Sequence, residues 1–137
     1  MFMTKYLVAY AVAAAVMIAI DLLWLGVIAK SLYRDGIGHL MAERPNIPAA
    51  VIFYVLFPIG VMIFAVVPNA ASSEWMKTIV AGALFGLFTY ATYDLTNLAT
   101  LKAWPVGLAV LDMAWGTLVS AVSAAAGKWA LGWFSGG

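Results

Sequence analysis

Residues 6–29 read YLVAYAVAAAVMIAIDLLWLGVIA, an apolar run framed by Lys5 and Lys30 and carrying one charge, Asp21. An α-helix rises about 1.5 Å per residue, so about 20 apolar residues cross a bilayer core. The run is too long for a barrel strand and lacks alternating polarity. It therefore reads as a membrane-spanning helix that satisfies its backbone internally. The small residues at 11–15 resemble a leader cleavage pattern. The apolar run continues well past them, which favours a retained span over a cleaved leader.

Working outward, three further segments have the same character. Residues 48–67 lie between Pro48 and Pro68, and residues 78–101 lie between Lys77 and Lys102. Residues 105–126 open after Trp104 and are followed by Lys128, Trp129 and Trp133. Lysines and tryptophans at these ends suit the headgroup level. The expected fold is all-α: a polytopic, antiparallel bundle of four transmembrane helices forming a single membrane domain. Pro58 falls mid-way along the second span and predicts a kink, whereas Pro105 sits in a first helical turn, where its missing N–H costs nothing. Lys102, Ala103 and Trp104 alone join spans three and four, as in an antiparallel hairpin. The long polar loop, 31–47, holds Tyr33, Arg34, Asp35, His39, Glu43 and Arg44, with a short interfacial helix expected at 37–43.

Composition agrees. Of 137 residues, 66% are hydrophobic and 9% charged, with mean hydropathy +1.02. A soluble domain carries charge on roughly a quarter of its residues. The absence of cysteine excludes disulfides and thiolate chemistry, and a net charge of +1 offers no field for nucleic acid. One histidine, His39, cannot build a multi-histidine iron box or a bis-histidine haem within one chain. Lys5, Lys77 and Lys128 fall on one membrane face, and Lys30, Arg34, Arg44 and Lys102 on the other. This near-balance is also what a dual-topology protein shows, and it leans only slightly toward a cytoplasmic long loop.

Ionisable residues inside spans cost about 2.5–3.5 kcal/mol each at the helix centre. Here there are three, Asp21, Asp94 and Asp112. Counting helical rise from the nearest span end puts them about 13, 12 and 10 Å deep from the same face. Tyr54 in span two reaches a similar depth. Asp21 precedes Trp24 by three residues, Asp94 precedes Asn97 and Asp112 precedes Trp115, so each pair shares a helix face. Gly82, Gly86, Tyr90, Asp94 and Asn97 form one stripe, and Asp112, Gly116, Ser120 and Gly127 another. Such small-residue faces pack inward. Thr89, Tyr93, Thr96 and Thr100 add hydroxyls beside them. Two readings follow: interhelical hydrogen-bond glue, or a polar pocket with at least one proton retained near neutral pH. Three carboxyls in one layer with no buried cation favour the pocket. Its expected lining is Asp21, Trp24, Tyr54, Tyr90, Tyr93, Asp94, Asn97, Asp112 and Trp115. Lys30, Arg34, His39, Arg44, Lys102 and Trp104 are expected at the interface. A divalent ion held by the carboxylates and Asn97 is conceivable, but no supporting ligand pattern accompanies them, so no metal or cofactor is expected.

The blocks Asp21-Leu-Leu-Trp-Leu-Gly, Tyr93-Asp94-Leu-Thr-Asn97-Leu-Ala-Thr-Leu-Lys102-x-Trp104-Pro105 and Asp112-Met-Ala-Trp115-Gly116 resemble the bacterial membrane proteins grouped as domain of unknown function 2177. The resemblance spans nearly the whole chain and implies a compact four-helix protein of the bacterial inner membrane, with these blocks as its motif positions. It brings no activity with it. Function therefore stays open among several readings: binding of a small amphiphile or lipid-derived molecule, or service as an accessory subunit; proton-coupled transport; and lipid-modifying catalysis by an aspartate acid or base. Membrane lipids, a membrane complex or a second copy are the expected partners, and nucleic acid is not.

Overall fold

The computed structural model describes residues 2–134. Among them the chain is helical, with no strand. Helix α1 (Phe2–Leu23) continues through a π-helical turn, Trp24–Ile28. A short α2 (Lys30–Ile37) ends in a 3-10 turn, Gly38–Leu40. Helix α3 (Ile47–Val61) runs into a π-helical turn, Met62–Val66, and a 3-10 turn, Val67–Asn69. Helices α4 (Trp75–Thr100) and α5 (Val106–Gly132) complete the bundle. Four helical stretches, Met3–Ile28, Ile47–Asn69, Trp75–Thr100 and Val106–Gly132, are long and apolar enough to cross a membrane.

The burial pattern is that of a protein dissolved in lipid. Leu22, Val27, Ile52, Phe64, Phe88 and Val110 are exposed, while Asp21, Asp94, Ser120, Ser123 and Lys128 are buried. A water-soluble domain shows the reverse.

Stripes with a four-residue spacing hold the helices together. On α1, Ala9, Ala13 and Met17 are fully buried and Asp21 continues their line. Ser123 Oγ of α5 donates to the Ala13 carbonyl at 3.0 Å, tying α5 to α1. On α4, Thr78, Gly82, Gly86 and Asp94 are buried against α5. A Cβ at Gly82 would lie 2.7 Å from Ala124 Cβ, one at Gly86 would overlap the Gly116 carbonyl and Ser120, and one at Gly116 would enter the Tyr90 ring. These glycines set the backbone-to-backbone approach on which α4–α5 packing depends. The turn between them bends through Ala103, whose φ of 56° is left-handed for a residue with a side chain.

One expectation changes. The interfacial helix begins at Lys30, not at 37, because it follows the π-helical turn directly and places Tyr33, Gly36 and Ile37 on one half-buried face. Around Pro58, α3 stays helical to Val61, and the helix widens only over Met62–Val66. Asn46 opens α3, its side chain accepting from the Ala49 N–H at 3.1 Å.

Candidate functional site

The three carboxyls arrive on α1, α4 and α5, with Asp21 and Asp94 buried and Asp112 half-buried, and the structure arranges them as one plus two. Asp21, 3% exposed, accepts from Trp115 Nε1 of α5 at 2.9 Å and from the Tyr54 hydroxyl of α3. Asp112 of α5 accepts from the Tyr33 hydroxyl at 2.5 Å, and Tyr33 in turn accepts from Trp24 Nε1 at 3.2 Å. Asp94 of α4, 2% exposed, lies beside the Asp112 carboxyl. Side by side, two carboxyls can hydrogen-bond each other only when one of them carries a proton. The outer Asp94 oxygen, Oδ2, has no partner among the described residues.

The short Asp-x-x-Trp echo explains the cross-linking. Helices α1 and α5 run antiparallel and each carries Asp followed by Trp one turn later. Trp115 of α5 serves the α1 carboxyl, and Trp24 of α1 serves the α5 carboxyl through Tyr33. The two indoles stack with centroids 4.5 Å apart and planes 7° from parallel, within the range of favourable aromatic pairs. The π-helical turn begins at Trp24 itself, and such turns recur where a helix must re-aim a side chain.

Tyr90 lies beside this network. Its ring packs edge-on against Phe57 at 5.9 Å, and it lies within electrostatic reach of Asp21, Asp112, Tyr54 and Tyr33. Tyr90 also lines a cleft of about 320 Å³ between α3 and α4, with Phe53, Phe57, Thr89 and Tyr93. Tyr93 is half exposed and its ring lies 5.8 Å from Trp104.

Above the network, α2 folds back over the bundle. A Cβ on Gly36 would meet Leu108 Cδ2 at 3.0 Å and Pro105 Cγ at 3.2 Å, so glycine lets the helix settle closely and insert Tyr33. Burial and the Asp112 carboxyl raise the Tyr33 hydroxyl well above its ordinary value, with the Trp24 N–H opposing them. Tyr33 is therefore a neutral donor at physiological pH.

Of the residues expected in a pocket, Asp21, Trp24, Tyr54, Asp94, Asp112 and Trp115 join one network, with Tyr90 and Tyr93 beside it. Asn97 does not join: it is half-buried, and its backbone carbonyl accepts from Leu101 N. At the interface, Lys30, Arg34, His39, Arg44 and Lys102 are exposed, whereas Trp104 is buried with its indole N–H unpartnered among the described residues. No group of three acidic, histidine or cysteine side chains among the described residues is placed to hold a metal ion. Tyr33 is the member that spacing from span ends did not select, because it lies outside every span. Its signal was the Tyr33, Gly36, Ile37 face of a short amphipathic helix.

The architecture and this buried centre define a polytopic α-helical membrane protein with an intramembrane polar network. Residues 6–129 match the family described as predicted membrane protein, domain of unknown function 2177, and the chain belongs to that family. No curated protein and no solved structure matches it.

Proposed function

We propose that this is a bacterial inner-membrane protein that binds a small amphiphile in the α3–α4 cleft, with the ligand's polar group served by the tyrosine–carboxyl network. One observation carries the reading: Tyr90 both lines the cleft and lies within electrostatic reach of Asp21 and Asp112. Phe53, Phe57 and the Tyr93 ring suit an alkyl chain. A carboxyl pair holding a proton suits a ligand carbonyl or hydroxyl, because it can donate as well as accept. Pockets that are largely apolar with a few convergent polar groups are the usual form of small-molecule sites.

The test uses monoacylglycerol as the probe, counted per chain by native mass spectrometry of the purified protein. One bound molecule is expected for the unaltered chain, and loss for Thr89→Phe, which fills the cleft. Asp94→Asn should weaken retention by about tenfold, or about 1.4 kcal/mol. Equal retention by all three proteins would remove the proposal.

Proton-coupled transport is the second reading, favoured by the path from surface helix α2 through Tyr33 to Asp112 and Asp94. Liposomes carrying a pH gradient distinguish it: proton flux abolished by Asp112→Asn supports transport, and flux no greater than in protein-free vesicles rejects it.

A further inference from the structure

The opposite membrane face holds a second, unrelated feature. Lys128 lies near the end of α5 and is only 8% exposed. Its ammonium donates to the Ser72 carbonyl at 2.7 Å and the Asn69 carbonyl at 3.1 Å, and sits 5.7 Å from the centre of the Trp75 ring. Every one of these partners is neutral. A lysine has three N–H donors, so one is left over. Beside it is a cavity of about 250 Å³, lined by Lys5, Ser72, Trp75, Lys128, Leu131 and Phe134 among others, with no carboxylate among its described lining residues. Glu74, next in sequence to Trp75, points its charge to Lys77 at 4.0 Å. Helix α4 starts at Trp75, so the positive end of its dipole lies on the same rim.

A buried cation with only dipolar partners is costly unless an anion completes it. The height of the cavity fixes where that anion comes from. The N-terminal ends of α1 and α4 and the C-terminal ends of α3 and α5 all lie on this face, at headgroup level. Leu131, Phe134 and Trp75 supply an apolar wall next to the two lysines. We infer that this cavity binds the phosphate of an anionic phospholipid headgroup, with Lys128 as the buried anchor and Lys5 at the rim. The inference does not depend on the amphiphile reading, since no residue is shared between the two sites.

The experiment measures retained lipid by native mass spectrometry, offering phosphatidylglycerol or phosphatidylcholine to the purified full chain. Phosphatidylglycerol is expected to be held about tenfold more tightly, the size of one well-placed charge contact. Lys128→Met keeps side-chain length and should abolish the preference. If that variant fails to fold, Gly132→Leu decides. Its Cβ meets nothing within 4 Å among the described residues, and its side chain would extend into the cavity with both lysines intact. Loss of the preference in Gly132→Leu supports the site, and an unchanged preference overturns it. Inorganic phosphate forms the second arm. If phosphate alone raises the melting temperature and no lipid preference is seen, a soluble anion replaces the lipid as ligand and the headgroup assignment fails.

Discussion

Asp112 shows how much one hydroxyl and one neighbouring carboxyl decide. Tyr33→Phe removes the hydroxyl that donates to Asp112 and accepts from Trp24, leaving two half-buried partners unmet. Leaving a buried group unsatisfied costs about 1–3 kcal/mol, so the thermal midpoint in detergent should fall clearly. Asp94→Asn behaves differently. An amide can donate to Asp112 without a shared proton, so the midpoint should stay close to that of the unaltered chain. The infrared band of a protonated carboxyl should disappear from the spectrum at neutral pH. If the band persists in Asp94→Asn, the proton belongs elsewhere and the pair does not share it. Sequence alone put the three carboxyls in one layer by counting rise. It could not separate one from two, because lateral distance depends on how closely glycines let α4 and α5 approach.

At the scale of elements, the inward faces of α4 and α5 were legible because small residues and aspartates recur along one stripe of each, and that spacing survives folding. The buried α1 line of Ala9, Ala13, Met17 and Asp21 shows only in the structure. The π-helical turns were not legible, since they arise from how a helix end meets its neighbours and not from local composition. The same reason hid the start of α2. Two substitutions test the packing. Gly86→Leu must push against the Gly116 backbone and Ser120, and should leave little folded protein by size-exclusion chromatography. Gly26→Leu, whose Cβ meets nothing within 4 Å, should run as the unaltered chain does. Helix α2 has its own test. Gly36→Val crowds Leu108 and Pro105, lifting the helix and withdrawing Tyr33 from Asp112. Because both changes break one contact, the destabilisation of Gly36→Val with Tyr33→Phe should fall short of the sum of the single effects. Independent sites add within about 0.3–0.5 kcal/mol. Additivity would mean that α2 holds its place without the tyrosine.

For the whole molecule, the four helices impose a topology that the charges barely orient. Ser31 and Ser72 flank α3, so a single span separates them and they must face opposite compartments. The chain has no cysteine, so Ser31→Cys and Ser72→Cys each supply one unambiguous label. A membrane-impermeant maleimide applied to intact cells should reach one of the two positions in a given orientation and not the other. Labelling from the same side would break the four-span assignment outright. Orientation is then a matter of lysine and arginine placement near the span ends. Four such residues lie on the Ser31 face and three on the Ser72 face. Asp35 and Glu43 are exposed in the loop on the richer face, so replacing both with lysine should not disturb packing. The change takes four against three to six against three, and should make Ser72→Cys reactive only from outside the cell. The sign follows from the cost of translocating positive charge, which in that variant would hold the α2 face on the side where positive charge is retained. Were Ser72→Cys still protected in that background, some force other than flanking charge would be setting the orientation of the bundle.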